Sequence, residues 1–176
     1  AVAFRGGAKL LVALTTVRSA TVGATGELRV VHTAGTFSLV LGDRTVAEKW
    51  ALKIRSPKSL VDKLGLKPES HVAILGVADP VFAADAAVRL RTAARDKLPT
   101  APAARGFDFI FYPADSADEL SRLAALRRHL APTGAIWVVS LKGKAARIKD
   151  IDVMQAAKTA GLVDNKVCSF SATHTA

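Results

Sequence analysis

The chain has 176 residues, of which 50% are hydrophobic and 23% charged, and its formal net charge is +10. This length suits one well-buried domain, or one ordinary domain and a small one. No apolar run reaches the roughly 18 to 20 residues of a membrane-spanning helix, and we expect neither a membrane span nor a signal peptide. A single cysteine, Cys168, excludes an internal disulfide and favours a reducing compartment, so the expected location is the cytoplasm.

The positive charge is spread along the chain. Residues 1–55 carry eight Lys/Arg and three Asp/Glu, and residues 56–176 carry seventeen and twelve, so each part has a net charge of +5. Basic residues do not alternate with aromatic ones in the way that single-strand binders use. The distribution favours a solvated surface over a nucleic-acid or anionic-membrane site, which stays a weaker alternative.

Before Ser56 the sequence alternates in short runs. The pattern predicts an antiparallel meander with strands over 9–14, 17–22, 27–32 and 36–41, separated by turns at 5–7, 23–26 and 33–35. A helix follows from Asp43 or Arg44, and its apolar stripe is predicted to comprise Val46, Trp50, Leu52 and Ile54. We expect Trp50 to be a core aromatic that closes the sheet.

The element order through residues 4–54 resembles the second half of a pleckstrin-homology-like (PH-like) barrel. A complete barrel of that kind has more strands than the four or five visible here. An open sheet edge needs a partner, so the resemblance implies association, with a homodimer as one form of it.

From Ser56 onward, helices and strands alternate. Helices are predicted over 59–64, 79–85, 116–130 and 152–160, and strands over 71–75, 87–92, 107–112, 135–141 and 163–170. Ser116 and Glu119 form a capping box, and Leu120, Leu123, Leu126 and Leu130 supply the buried stripe of the helix that follows. Such alternation is typical of a mostly parallel sheet with helices on both faces.

Three segments carry a family resemblance. The string 64–76 resembles the lead-in and first strand of methyltransferase-type folds, and 130–138 resembles a later strand of the same folds. Together with 161–168 they resemble a functionally uncharacterised bacterial family of degenerate methyltransferase-like, Rossmann-like domains, over about residues 58–174. The resemblance implies an α/β domain over 56–176 after a PH-like domain over 1–55, and a last antiparallel strand beyond Ala176.

The cofactor site of such a fold is predicted to be lost. S-adenosylmethionine needs a glycine-rich turn after the first strand, where the backbone approaches the ligand closely, and the turn over 75–80 has one glycine, Gly76. An acidic residue should follow the second strand and accept the ribose hydroxyls, but Arg91 and Thr92 stand at its predicted end. We therefore expect no bound cofactor and no methyl transfer.

Other reactive side chains favour structural uses. Asp108 and Asp115 flank the third strand and would lie about 20 Å apart by strand rise, too far to act on one bond. Cys168 is predicted to be a small buried hydrophobe rather than a nucleophile. The four histidines do not have metal-ligand spacing, so no metal site is expected.

The basic segment over 142–149 follows the fourth strand, at the edge where open α/β sheets bind ligands. Asn165 and Lys166 either line the same crevice or belong to a turn. Lys142, Lys144, Asn165 and Lys166 are therefore the candidate binding residues for a phosphate or carboxylate, with a solvated loop as the alternative.

These patterns predict a non-enzymatic cytoplasmic protein that acts by association with itself or with another protein. The alternative is a domain, or an enzyme, that uses the loop 142–149 to hold a small anion or a phosphorylated metabolite.

Overall fold

The computed structural model describes the backbone of residues 2–5, 9–91, 93–101 and 105–176, and their side chains except those of residues 2–5, 9, 10 and 95. The chain divides into two compact units, 1–59 and 60–176. The predicted turn residues Gly6 and Gly7, and Thr92, lie outside the described residues.

Unit 1 consists of short antiparallel strands and one helix. Its elements are β1 (Val2–Arg5), β2 (Lys9–Val12), β3 (Val17–Val22), β4 (Glu27–His32), β5 (Gly35–Val40) and α1 (Arg44–Arg55). β1 and β2 form a two-stranded sheet, and β3, β4 and β5 form an antiparallel meander in that order. The bounds of β3 and β4 are those predicted from the alternation, and each strand ends at a predicted turn.

Helix α1 packs on the meander through its smallest side chains. Asp43 is the N-cap, and its carboxylate accepts a bond from the Val46 amide at 3.1 Å. The buried helix residues are Ala47, Ala51 and Ile54, which pack against Ala20, Leu28 and Val30 of the sheet. The predicted stripe is wrong at two positions, since Val46 is 40% and Leu52 59% exposed.

Trp50 does not close the sheet as predicted. It is only partly buried and lies at the margin of the core of unit 1, where the Lys53 ammonium stands 5.4 Å from the ring centroid. Alanines at positions 47 and 51 bring the helix backbone close to the strands. This close approach leaves the bulky indole beside the contact rather than within it.

Unit 2 contains a five-stranded sheet. Its elements are α2 (Leu60–Lys63), β6 (Val72–Ile74), α3 (Pro80–Arg89), β7 (Ala93–Arg95), β8 (Phe107–Pro113), α4 (Ala117–Ser121), α5 (Leu123–Arg127), β9 (Leu130–Leu141), α6 (Asp150–Thr159) and β10 (His174–Thr175). The strand order is β10-β9-β8-β6-β7. All neighbours pair in parallel except β10, which is antiparallel to β9.

Helices cover both faces of this sheet. On one face Phe111 of β8 packs with Phe82 of α3, whose ring centroid is 4.8 Å away. The next residue, Tyr112, points to the opposite face and packs with Leu120 and Leu123 of α4 and α5. Because successive side chains of β8 point to opposite faces of the sheet, the strand contributes residues to two separate cores. Among the described residues, no helix is both long and apolar enough to cross a membrane.

The predicted second strand over 87–92 is wrong. Helix α3 starts at the Asp79 cap and continues through Arg89, so most of that run is helical. Phe82, Ala86 and Leu90 are buried at helical spacing, whereas Val88, expected to point inward, is 91% exposed. A short alternating run fits either period, and here the helix cap determines the outcome. The second parallel strand is β7, further along the chain.

Strand β9 begins earlier than predicted. Leu130, expected in a helical stripe, is the first residue of β9, because α5 ends at Arg127. Gly134 lies inside β9 rather than past a helix. A Cβ atom there would stand 2.5 Å from the Phe107 carbonyl oxygen, so the two strands approach closely only because the residue is glycine.

The predicted final strand over 163–170 is also wrong. Residues 162–168 have no regular secondary structure, and Val163 is 89% exposed. Only Cys168 and Phe170 keep the period of two and are buried, at 7% and 5% exposed. The edge strand is β10, so the sheet gains its antiparallel strand from residues nearer the end of the sequence.

Candidate functional site

Lys142 is bound within the chain. It follows β9, and its ammonium group donates to the Ser169 hydroxyl at 2.9 Å and to the Ser171 carbonyl at 2.5 Å. Its amide also donates to the Thr173 carbonyl. The side chain is half-buried. The hydrogen bonds of Lys142 therefore join the turn before β10 to the end of β9.

Lys166 is also hydrogen-bonded within the chain. Its ammonium group donates to the Lys63 carbonyl at 2.6 Å. Lys63 is the last residue of α2, where helical carbonyls have no partner inside the helix. The bond joins the irregular segment over 162–168 to α2. The sequence analysis predicted that the Lys166 ammonium group binds a ligand, but here the group is bonded to the chain itself.

The four candidate residues do not meet in one site. Lys144 is exposed in a 3-10 turn over Gly143–Ala145. Asn165 and Lys166 line a cavity beside β9, but neither Lys142 nor Lys144 is among its lining residues. The predicted crevice at the basic loop is thus separate from the cavity that Asn165 and Lys166 border.

This cavity, which we call the β9 cavity, has a volume of about 760 Å³. Strand β9 and the segment 161–167 both line it. Leu64, Phe109 and Trp137 line it as well, together with Met154 and Ala157 of α6. Its charged lining residues are two of each sign: Arg127, Lys166, Asp150 and Asp164. The cavity lining therefore mixes apolar and polar groups and has no strong charge preference.

Strand β9 presents an open edge to this cavity. β10 pairs only with Ser140 and Leu141, so the earlier part of β9 has no strand on that side among the described residues. The Val139 carbonyl accepts a bond from the amide of residue 114, which follows β8, so odd-numbered residues of β9 face β8. The N–H and C=O groups of Ile136 and Val138 consequently face the cavity.

Trp137 is the residue of the cavity lining that sequence reasoning missed. Its side chain is 8% exposed, and its indole N–H has no hydrogen-bond partner in the described part of the chain. Buried tryptophan N–H groups usually have a partner, so the Trp137 indole is an exception among the described residues. The signal in the sequence was a tryptophan amid an apolar strand, which also fits an ordinary core residue.

The residue after the second parallel strand is acidic, which corrects the prediction that Arg91 and Thr92 stand there. Asp96 follows β7 directly, and its carboxylate accepts a bond from the Gly76 amide at 3.3 Å. An acidic residue therefore stands where Arg91 and Thr92 were expected. Its φ of 60° is unusual for a residue other than glycine. The long helix signal, Asp79 followed by Phe82, Ala86 and Leu90, could have placed the strand correctly.

Carboxylates order the loop between β8 and α4. Asp115 accepts a bond from the Leu141 amide at 2.8 Å, which joins the ends of β8 and β9. Glu119 accepts bonds from the Asp115 amide at 2.7 Å and the Ser116 hydroxyl at 2.9 Å. These bonds, the Asp115 amide first, hold the pKa of Glu119 below its usual value of 4.5. The predicted capping box is confirmed, since the Ser116 hydroxyl accepts from the Glu119 amide.

The remaining candidates for chemistry have structural contacts. Asp108 accepts a bond from the His71 amide at 2.7 Å, and Arg105 lies 3.5 Å from its carboxylate. Cys168 is buried and belongs to the same core as Phe82. Within the described ranges, no group of three or more His, Cys, Asp or Glu side chains could hold a metal ion.

No protein-family model and no curated protein matches the chain. The family resemblance stated from the sequence therefore stays a prediction.

Proposed function

We propose that this chain is a non-enzymatic binding protein that recognises another polypeptide through the β9 cavity. The observation that carries the proposal is the open edge of β9. The main-chain groups of Ile136 and Val138 face a cavity of about 760 Å³ with a mixed apolar and polar lining, and Trp137 is among its lining residues. Unpaired strand edges bind other strands readily.

Unit 2 is, in this proposal, a degenerate methyltransferase-type Rossmann-like domain, and unit 1 is a PH-like half barrel, both in a cytoplasmic protein. The parallel order β9-β8-β6-β7 and the acidic Asp96 after β7 support the first assignment. The single glycine of the turn after β6 and the use of Asp96 by the Gly76 amide argue against a working cofactor site. Micromolar binding of S-adenosylmethionine in a calorimetric titration would contradict this part.

Binding of a small anion at the loop 142–149 is the second candidate. Its support is the exposure of Lys144, Arg147 and Lys149. The internal bonds of Lys142 and Lys166 weaken it, because each ammonium group would have to leave a carbonyl to meet an anion. Titration with inorganic phosphate tests it. Loss of phosphate binding on Lys144→Met, at unchanged stability, would favour the anion site over the β9 cavity.

The polypeptide-binding function can be tested by photocross-linking in an extract of the native host. Met154 borders the β9 cavity and is 44% exposed, so p-benzoylphenylalanine at that position should cross-link whatever occupies the cavity. Val88, 91% exposed on α3 and outside the cavity lining, is the matched control position.

We expect a discrete polypeptide adduct from position 154 and none from position 88, and the purified partner should bind the unsubstituted chain. The same adducts at both positions, or purified candidates that fail to bind, would contradict the proposed function.

A further inference from the structure

Helix α1 packs on the meander with one side only. Four exposed residues lie on the other side, and we call them the outer face of α1: Val46, Lys49, Leu52 and Lys53. Val46 stands three residues before Lys49, and Leu52 stands three after it, spacings that make side chains neighbours on a helix surface. Val46 is 40% and Leu52 59% exposed. The outer face therefore combines two cations with two exposed apolar side chains.

The acidic residues near α1 already have partners within the chain. Residues 43–58 carry five Lys/Arg and two Asp/Glu, a net charge of +3. Asp43 caps the helix, and Glu48 pairs with Arg44 at 2.8 Å. In the part of the chain that the structure describes, no carboxylate lies within 4.0 Å of either lysine ammonium group of the outer face. Both groups can therefore meet an external anion without breaking an ion pair.

Trp50 borders the outer face. It follows Val46 by one turn of the helix, and the Lys53 ammonium lies 5.4 Å from the centroid of its ring. Indole rings favour places where an apolar region meets water. A lysine stem can lie along apolar surface while its ammonium stays in water. Both properties suit the boundary between water and lipid.

The apolar side chains of the outer face distinguish between two kinds of polyanion. A nucleic-acid backbone would pair with the lysines through its phosphates but would leave Val46 and Leu52 without a use. A bilayer surface with anionic lipids attracts cations and also takes apolar side chains below its headgroups. The mixture of lysine and aliphatic residues on one face of α1 matches the bilayer surface.

We propose that the outer face of α1 binds the surface of a bilayer that contains anionic lipids. The lysine ammonium groups lie at the headgroups, and Val46 and Leu52 enter the layer beneath them. With 12 residues, α1 is about 18 Å long and lies along the surface. The contact concerns unit 1 alone, so it is independent of the β9 cavity and of the function proposed for that cavity.

The test measures flotation of the full chain with lipid vesicles. We expect binding to phosphatidylcholine vesicles that contain phosphatidylserine, and no binding to phosphatidylcholine alone. Binding should weaken at least tenfold in about 1 M NaCl, where the Debye length is about 3 Å. Brominated lipids should quench the tryptophan emission. Trp50→Phe should remove most of this quenching, because the other tryptophan, Trp137, is only 8% exposed.

A pair of lysine substitutions tests the charged contribution. Lys49→Gln combined with Lys53→Gln should weaken vesicle binding about tenfold or more, since each cation near an anionic surface contributes roughly fivefold. Lys144→Gln combined with Lys158→Gln is the matched control, because both lysines are exposed in unit 2. We expect the control pair to bind vesicles as the parent does.

A second pair of substitutions tests the apolar contribution. Val46→Ser combined with Leu52→Ser should weaken vesicle binding at least threefold, because the apolar area that enters the bilayer is lost. Val81→Ser combined with Val88→Ser is its control, since these residues are 66% and 91% exposed on α3. All these side chains are exposed, so we expect each variant to keep the urea midpoint of the parent.

Three results would overturn the proposal: equal binding to the two kinds of vesicle, equal effects of a substitution pair and its control, or quenching that persists in Trp50→Phe. Binding of a DNA duplex that the lysine pair abolishes, without binding to anionic vesicles, would show a nucleic-acid surface and would also overturn it. A polypeptide cross-linked at Met154 without vesicle binding would leave the proposed function standing and refute only the membrane contact.

Discussion

Replacing Lys142 with methionine separates a structural role for this lysine from an anion-binding one. Methionine keeps an apolar stem but removes the ammonium that donates to the Ser169 hydroxyl and the Ser171 carbonyl, at 2.9 and 2.5 Å. Removing the donor to a part-buried carbonyl costs about 1–3 kcal/mol. Because Lys142 is half-buried, and water can replace part of the lost bonding, we expect a loss in the free energy of unfolding of about 2 kcal/mol.

Two assays measure this loss. Urea denaturation should show a lower midpoint with an unchanged slope, and the Tm should fall by about 8 °C, at roughly 4 °C per kcal/mol for a unit of this size. Hydrogen exchange should locate the effect. The amides of Cys168 and Phe170, which pair with Ala176 and His174, should exchange faster, while those of β6 should not.

Lys144→Met is the matched control, because Lys144 is exposed in the neighbouring turn. We expect it to change the free energy of unfolding by less than about 0.5 kcal/mol. Equal losses of unfolding free energy in the two variants would refute the structural role of the Lys142 hydrogen bonds. So would a Lys142→Met chain that keeps the parent stability but no longer binds inorganic phosphate, which would place the lysine in an anion site.

Three further predictions concern the stability of the chain. Glu119→Gln should flatten the fall of Tm below pH 4.5. The folded-state pKa of Glu119 is lowered, so its contribution is present above the unfolded value and is lost as the pH falls through the folded one. Phe82→Ala should cost about 3–5 kcal/mol in urea denaturation and Val88→Lys less than about 0.5, since one is fully buried and the other 91% exposed. Gly134→Ala should cost about 2–3 kcal/mol, because its Cβ would stand 2.5 Å from a carbonyl oxygen of β8.

Each of these predictions has a contradicting outcome. Parallel Tm curves for the parent and Glu119→Gln would mean that the Glu119 carboxylate does not stabilise the fold. A larger loss at Val88 than at Phe82 would restore the predicted strand over 87–92. A fully stable Gly134→Ala chain would show that β8 and β9 can separate slightly at this point.

Local signals in the sequence were sufficient where they were strong and unambiguous. The strands over 17–22 and 27–32 end at turn signals, and the Asp43, Asp79 and Ser116 caps start helices where the sequence predicts them. Cap residues act through bonds to amides within three positions, so their effect needs no tertiary context. The α/β character, with an antiparallel meander and a mostly parallel sheet, followed from the same signals, but β2, predicted as part of the meander, pairs with β1 in a separate two-stranded sheet.

Predictions failed where the same local sequence pattern was compatible with both a strand and a helix, or with more than one buried helix face. Val88 and Leu90 suit a strand or the end of α3, and the buried contact between Phe82 and Phe111 favours the helix. The part of the cofactor argument that concerned the second strand failed with it, because β7 is the second strand and Asp96 follows it. In α1, the approach of Ala47 and Ala51 to the sheet determined which face is buried.

The candidate site depended on contacts between residues far apart in sequence. The lysines were predicted to be ligand-binding cations, but the groups that Lys142 and Lys166 bond to, in Ser169, Ser171 and Lys63, lie 27, 29 and 103 positions away. No local pattern reports such distances.

The sequence by itself determined the caps of α1, α3 and α4, the turns after β3 and β4, and most strands, because each depends on residues within a few positions of one another. The tertiary structure alone decided that Lys142 and Lys166 bond to carbonyls of the chain, that Asp96 follows the second parallel strand, and that β10 pairs with only the end of β9. Pairing register and side-chain partners are properties of the folded chain as a whole. The open edge of β9 is one of them.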